Sequence, residues 1–151
     1  MKFIGPTGLQ RPRVLLADDE ESLRIVLRRV LGQLGFDVVT VSNGAQALAA
    51  FLEAPTSWTL VFLDVMMPVM GGVRAYESIR AHSAHLPVLL CSGYNTEAIG
   101  PALESDPHLR FLDKPFDVHT LAGTLASLGV LPALEMAPVL GMPAAERLLN
   151  A

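Results

Sequence analysis

The chain has 151 residues, of which 51% are hydrophobic, and this size and composition fit one domain with a sizeable core. Its 11 Lys and Arg residues against 15 Asp and Glu residues give a formal net charge of −4, which argues against a direct nucleic-acid partner. A single cysteine, Cys91, excludes an internal disulfide and predicts a buried thiol in a reducing cytoplasm. No segment has the length and hydrophobicity that predict a membrane span.

Short apolar runs alternate with amphipathic segments along most of the chain. The apolar runs predict strands at 14–17, 38–41, 60–63, 88–91 and 109–112. The segments between and after them predict helices near 23–34, 43–53, 72–81, 95–104 and 117–128. Gly100 and Pro101 interrupt the fourth of these helices, which we expect to be short, irregular or mobile. The alternation predicts an α/β domain with a doubly wound, five-stranded parallel sheet.

The ends of the chain differ in composition from this domain. Residues 1–12 read as a solvated linker, 13–128 as the domain, and 129–151 as a C-terminal extension. Proline and glycine break up 129–143, whereas the stretch PAAERLLNA has the composition of a short helix near 144–149. Leu148 and Leu149 could pack on the domain or on a second copy, and a loose linker is the alternative.

Polar side chains stand where four of the predicted strands end. Asp18 and Asp19 follow the first strand, Asp64 follows the third, Ser92 the fourth and Lys114 the fifth. Taken singly, each has an ordinary explanation as a helix cap, a turn residue or a solvated lysine. Together they are expected to converge, because ligands of doubly wound sheets bind outside the carboxyl ends of the strands.

Three carboxylates at one edge repel one another unless a cation joins them. Mg²⁺ suits such a site, because it prefers oxygen ligands and keeps positions for water and phosphate. Lys114 would add a positive charge for phosphate oxygens, and Ser92 a hydrogen bond. One carboxylate is then free to act as a nucleophile that forms an aspartyl phosphate, and Asp64 is the best candidate because it ends a central strand.

The motifs LLADDE, FLDVMMPVMGG, LLCSGY and FLDKPF occur in an order and at separations that resemble the receiver domains of two-component response regulators and hybrid histidine kinases. The resemblance covers about residues 13–128 and implies the flavodoxin-like receiver fold. It implies that Asp64 accepts a phosphoryl group from the phosphohistidine of a partner kinase. It further implies that Asp19, Asp64 and the backbone carbonyl of Met66 bind Mg²⁺ directly, with Asp18 acting through water.

The same resemblance assigns the remaining site residues. Ser92 is the hydroxyl that moves toward the phosphate, Phe111 is the aromatic switch residue, and Lys114 binds phosphate and forms a cis bond with Pro115. Tyrosine is common at the position of Phe111. Because phenylalanine has no hydroxyl, the ring can move between buried and exposed positions but cannot form a hydrogen bond that depends on its position. Gly71 stands where Asp is frequent, so the third helix is expected to lack a side-chain cap.

A receiver of this kind is a phosphorelay protein that assists only its own phosphorylation and dephosphorylation. The expected partners are a histidine kinase or a histidine phosphotransfer domain and a downstream protein, the latter docked on the face formed by 95–104, the fifth strand and the last helix. A homodimer is possible. Met66 and Tyr94 are bulky side chains expected to overhang the phosphate, so we expect its hydrolysis to be slow.

Other interpretations are weaker. A haloacid-dehalogenase-like phosphatase would have a second Asp two residues after the nucleophile, where this chain has Met66. A transcription factor would need a basic recognition helix, which 129–151 lacks, and a binding-only pseudo-receiver would lack site residues. A stand-alone regulator and a receiver from a hybrid kinase both remain open. His82, His85, His108 and His119 show no shared face or metal-ligand spacing and are interpreted as surface or loop residues.

Overall fold

Five parallel strands form the central sheet of the computed structural model, which describes residues 11–93, 103, 105–131 and 148–149. The strand order is β2-β1-β3-β4-β5, so the chain reverses its direction of winding between β1 and β3. The predicted doubly wound parallel sheet is confirmed, and each predicted strand is present with small shifts at its ends. The strands are β1 Arg13–Ala17, β2 Asp37–Val41, β3 Leu60–Asp64, β4 Val88–Ser92 and β5 Leu109–Asp113.

Within the described residues, helices of 10 to 13 residues form at four of the five predicted positions. Asn43 caps the second, where its side chain accepts a hydrogen bond of 2.9 Å from the Gln46 amide, and Gly35 follows the first with a φ of 102°. Asp117 caps the last, where its side chain accepts a hydrogen bond from the Thr120 amide at 2.7 Å. The helices are α1 Glu21–Gln33, α2 Gly44–Glu53, α3 Gly72–His82 and α4 Val118–Ser127.

Two predictions concern segments that the structure describes only in part. Of the helix predicted near 95–104, only Leu103 is described, and it is helical; the rest lies outside the described residues. The helix predicted near 144–149 is wrong at Leu148–Leu149, which form a short strand, β7, antiparallel to β6 (Phe116–Asp117). Backbone pairing with this neighbouring strand outweighs the local helix propensity there. Residues 144–147 lie outside the described part of the chain.

The core lies in two layers, one on each face of the sheet. Successive residues of β1 alternate between them: Val14 and Leu16 pack with α1 and α4, while Leu15 and Ala17 pack with α2 and α3. All four are fully buried, and burying a side chain the size of Leu contributes about 1.5–3 kcal/mol. Covering both faces holds the sheet rigid, so the positions of its strand ends are fixed. No helix in the described residues is long and apolar enough to cross a membrane.

Candidate functional site

Three carboxylates meet at the carboxyl edge of the sheet, beside the point where the winding reverses. Asp18 and Asp19 follow β1, and Asp64 is the last residue of β3. One oxygen from each can be chosen such that all three lie within 4.8 Å of one another. Asp18 and Asp64 are buried, and Asp19 is exposed. The predicted convergence of these three residues is therefore confirmed.

Backbone contacts fix the position of Asp18. Its amide donates to the carbonyl of Val41 at 3.2 Å, and its Oδ1 accepts from the amide of Glu20 at 2.9 Å. Its carbonyl accepts from Nη1 of Arg24 at 2.6 Å. Arg24 thereby ties α1 to the loop that carries Asp18 and Asp19.

The close approach of Gly72 to β3 holds the segment that follows Asp64. The amide of Val65 donates to the carbonyl of Cys91 at 2.8 Å. The amide of Gly72 donates to the carbonyl of Val65 at 3.0 Å. A Cβ on Gly72 would collide with the backbone oxygen of Asp64, so only glycine fits there. As expected, Gly71 caps α3 without a side-chain hydrogen bond.

Lys114 places its ammonium group between two of the carboxylates. Its Nζ lies 3.3 Å from Oδ2 of Asp18 and 3.4 Å from Oδ2 of Asp64. Its backbone amide donates to the carbonyl of Ser92 at 2.8 Å, which joins the ends of β4 and β5. The bond from Lys114 to Pro115 is cis, as predicted. Lys114 is thus a fixed positive charge within reach of an anion bound at Asp64.

One ammonium does not balance the negative charge of this edge. Burial raises the pKa of Asp64 from 3.8 to about 6, with a further contribution from the charge of Asp18. Lys114 and the backbone amide of Met66 act in the opposite direction through hydrogen bonds and charge. Burial works to lower the pKa of Lys114, but Asp18 and Asp64 outweigh it, and the pKa lies above its usual value. Above about pH 6, Asp64 is therefore ionised in a site that favours an added cation.

The other predicted site residues occupy different positions around this edge. Ser92 is buried at the end of β4, beside Cys91, whose Cα pairs with that of Asp64. Phe111 is half-buried in β5 and packs against the core layer of α2 and α3. Met66 is 59% exposed at the rim, and Tyr94 lies outside the described residues.

Cys91 is 1% exposed, and burial raises the pKa of its thiol to about 12. The predicted buried thiol is confirmed, and it is protonated and unreactive at neutral pH.

Sequence reasoning missed the conformation of Val69, in the loop between β3 and α3. Val69 has a φ of 69° and is 83% exposed, and the amide of Met70 donates to the carbonyl of Pro68 at 2.7 Å around it. These values describe a tight γ-turn, which is strained for a β-branched residue. Glycine or asparagine would have signalled a positive φ, and valine gives no such signal. The turn brings Met70 to α2, where its carbonyl accepts from the amide of Gly44 at 2.8 Å.

Known proteins share this fold and up to about a third of the aligned residues. The family model of the response regulator receiver domain matches residues 14–126. The regulatory protein AtoC of Escherichia coli is 32% identical over 110 residues, which are 72% of this chain and 23% of AtoC. The receiver domain of the hybrid histidine kinase CckA has 31% identity and a TM-score of 0.64, over 77% of this chain and 98% of that one. The response regulator TrrA of Thermotoga maritima, solved with Mg²⁺ and BeF, has 26% identity and a TM-score of 0.69, over 78% and 98%.

Several of these relatives are much longer than the matched region. Besides the 23% of AtoC, the chain spans 12% of the sensor histidine kinase TmoS of Ectopseudomonas mendocina. The match is therefore to one domain of such proteins. Because the family model covers most of the described residues, including the three carboxylates and Lys114, the chain belongs to the response regulator receiver domain family.

Proposed function

We propose that the chain is the phosphoacceptor of a two-component system, in which Asp64 receives a phosphoryl group from a phosphohistidine. The phosphohistidine would belong to a histidine kinase or to a histidine phosphotransfer domain. One observation carries the proposal: Asp64 is a buried carboxylate at a strand end, 3.4 Å from the Lys114 ammonium and beside two further carboxylates. This arrangement offers a nucleophile, a binding site for a cation and a positive charge for phosphate oxygens.

The donor set of the site fits Mg²⁺. Three carboxylates supply hard oxygen ligands and carry more negative charge than Lys114 balances. Asp19, Asp64 and the backbone carbonyl of Met66 would hold the ion directly, and Asp18 through water. Mg²⁺ there would offset negative charge on the phosphoryl oxygens. TrrA was solved with Mg²⁺ and BeF, which supports the same ion for this family member.

In the proposed reaction, an oxygen of Asp64 forms a bond to phosphorus while the phosphorus–nitrogen bond of the donor breaks and the imidazole leaves. Lys114 binds a phosphoryl oxygen, since its ammonium already lies between Asp18 and Asp64. Ser92 donates a hydrogen bond to another oxygen, and Phe111 changes its burial in response. The chain assists only its own phosphorylation and its later autodephosphorylation.

The output is proposed to be protein contact. The domain at 13–128 would present a changed face to a downstream target, without direct contact with nucleic acid, because the net charge is −4. Relatives include both a regulatory protein and sensor kinases, so a stand-alone regulator and a hybrid-kinase receiver are both consistent with the family. We place the domain in the cytoplasm, where Cys91 stays reduced. A second copy of the chain, in a homodimer, is a further proposed partner.

The phosphorylation site is tested with acetyl phosphate and Mg²⁺, which need no partner kinase. The wild-type chain should gain one phosphoryl group by intact mass spectrometry, and Asp64→Asn should gain none, because an amide is not a nucleophile here. Asp113→Asn is the matched control, since Asp113 is an exposed carboxylate at the end of β5. It should label like the wild type. Equal labelling of Asp64→Asn would refute the assignment.

The metal site is tested by calorimetric titration of Mg²⁺. Asp19→Ala should weaken Mg²⁺ binding by about tenfold or more, because it removes one of few direct ligands. Glu21→Ala removes one nearby negative charge from the first turn of α1 and should have a much smaller effect. If the two variants lose the same affinity, Asp19 acts only through its charge and is not a ligand.

The lifetime of the phosphoryl group tests the role proposed for the bulky side chains of Met66 and Tyr94. Met66→Asn combined with Tyr94→Glu should speed hydrolysis by about tenfold, or roughly 1.4 kcal/mol of barrier, because polar groups would orient the attacking water. Val69→Asn changes an exposed side chain of the same loop and should leave the rate unchanged. A lifetime that is equal or longer in the double variant would show that water access is controlled elsewhere.

A further inference from the structure

Two histidines meet at the edge of the sheet opposite to Asp64. His85 lies in the loop between α3 and β4, and His108 directly precedes β5. Nδ1 of His85 lies 3.3 Å from Nε2 of His108, and the ring centroids are 5.2 Å apart with an angle of 81° between the planes. The two residues are 23 positions apart, so no spacing motif marks them in the sequence. The expectation that the histidines share no face is wrong for this pair.

The backbone on both sides of the pair is held by Arg80 of α3. Its Nη1 donates to the carbonyl of Leu86 at 2.6 Å, and its Nη2 donates to the carbonyl of His108 at 3.3 Å. Its Nε lies 2.8 Å from Oδ2 of Asp106, whose Oδ1 accepts from the amide of His108 at 2.9 Å. One half-buried guanidinium thus ties together the two loops that carry the imidazoles. The fold therefore sets the distance between the two backbone segments that carry the rings.

We propose that His85 and His108 form a binding site for a transition-metal ion, with Zn²⁺ as the ion that the geometry fits. Tetrahedral Zn²⁺ with bonds to nitrogen of about 2.0–2.1 Å holds two ligand atoms about 3.3–3.4 Å apart. The two ring nitrogens are already 3.3 Å apart. His85 is exposed, so the ion can enter from solvent, and water completes its shell.

The site differs in chemistry from the carboxylate site. Imidazole nitrogens favour Zn²⁺, Ni²⁺ and Cu²⁺, whereas the oxygen ligands of Asp18, Asp19 and Asp64 favour Mg²⁺. Without metal, the two rings are close enough for one N–H to donate to the other nitrogen. On binding, the ion takes the place of that shared proton, which moves to the other nitrogen of the donor ring, so both imidazoles bind the ion in their neutral form. The proposal is independent of phosphorylation, because the two sites lie at opposite edges of the sheet.

The test is calorimetric titration of Zn²⁺ into the full chain, without an affinity tag and with excess Mg²⁺ to occupy the carboxylates. One Zn²⁺ should bind per chain, and His85→Gln and His108→Gln should each weaken binding by about tenfold or more, because a chelate needs both rings. The matched controls His82→Gln and His119→Gln change other exposed histidines and should bind like the wild type. Unchanged affinity in either variant of the pair, or equal loss in the controls, would overturn the proposal.

Imidazole nitrogen NMR supplies a second measurement that does not depend on the variants. Addition of Zn²⁺ should shift the Nδ1 resonance of His85 and the Nε2 resonance of His108 together, and leave His82 and His119 unchanged. A shift of one ring alone would show that no chelate forms. Thermal unfolding of the two variants without metal should match the wild type within a few degrees, because His85 is exposed and loses little packing.

Discussion

Electrostatic repulsion among three carboxylates at one sheet edge is the constraint on which this site depends. Asp18 and Asp64 are buried side by side, and Lys114 is placed between them as a positive charge. The pKa of Asp64 rises to about 6 because burial and the neighbouring charge disfavour its ionised form. A site that is destabilised in this way gains most when a cation arrives, since the cation supplies the missing partner of these negative charges.

The strands, the core and the loops together keep the three carboxylates and Lys114 in place. Strand pairing between β1 and β3 brings Asp18 and Asp64 to one edge, and the two core layers hold the strands in register. Local contacts then fix the loops. Gly72 lies against the backbone of Asp64, and the amide of Gly44 donates a hydrogen bond to the carbonyl of Met70. A Cβ at either glycine would require the backbone to move, so the loops at the site have little freedom. Rigid loops allow the carboxylates to stay close despite their repulsion.

Much of the fold and site follows from periodicity and position. Unbroken apolar runs such as Leu60 to Leu63 favour strands covered on both faces, and parallel strands place the residues after them at one edge. These two signals predict the positions of Asp18, Asp19, Asp64 and Lys114 at one edge of the sheet. The apolar runs and the polar residues that follow them can be read from the sequence because both are local and repeat along the chain.

The features that could not be predicted depend on contacts between distant residues. Leu148–Leu149 form a strand because the backbone of Phe116–Asp117 is available beside them, although their local sequence favours a helix. Val69 adopts a positive φ because the loop must connect β3 with α3 and reach α2, which its side chain does not reveal. His85 and His108 meet where Arg80 joins their two loops. In each case the deciding partner lies far away in the chain, where spacing rules carry no information.

The central claim is that Asp64 carries the phosphoryl group, and borohydride trapping tests it most directly. Borohydride reduces the carbonyl carbon of an aspartyl phosphate to an alcohol and releases phosphate, so the aspartate becomes homoserine. After phosphorylation with acetyl phosphate and Mg²⁺, peptide mass spectrometry should find homoserine at position 64 alone. Homoserine at position 18 or 19, or a phosphoryl group that remains on a histidine with position 64 unreduced, would contradict the account.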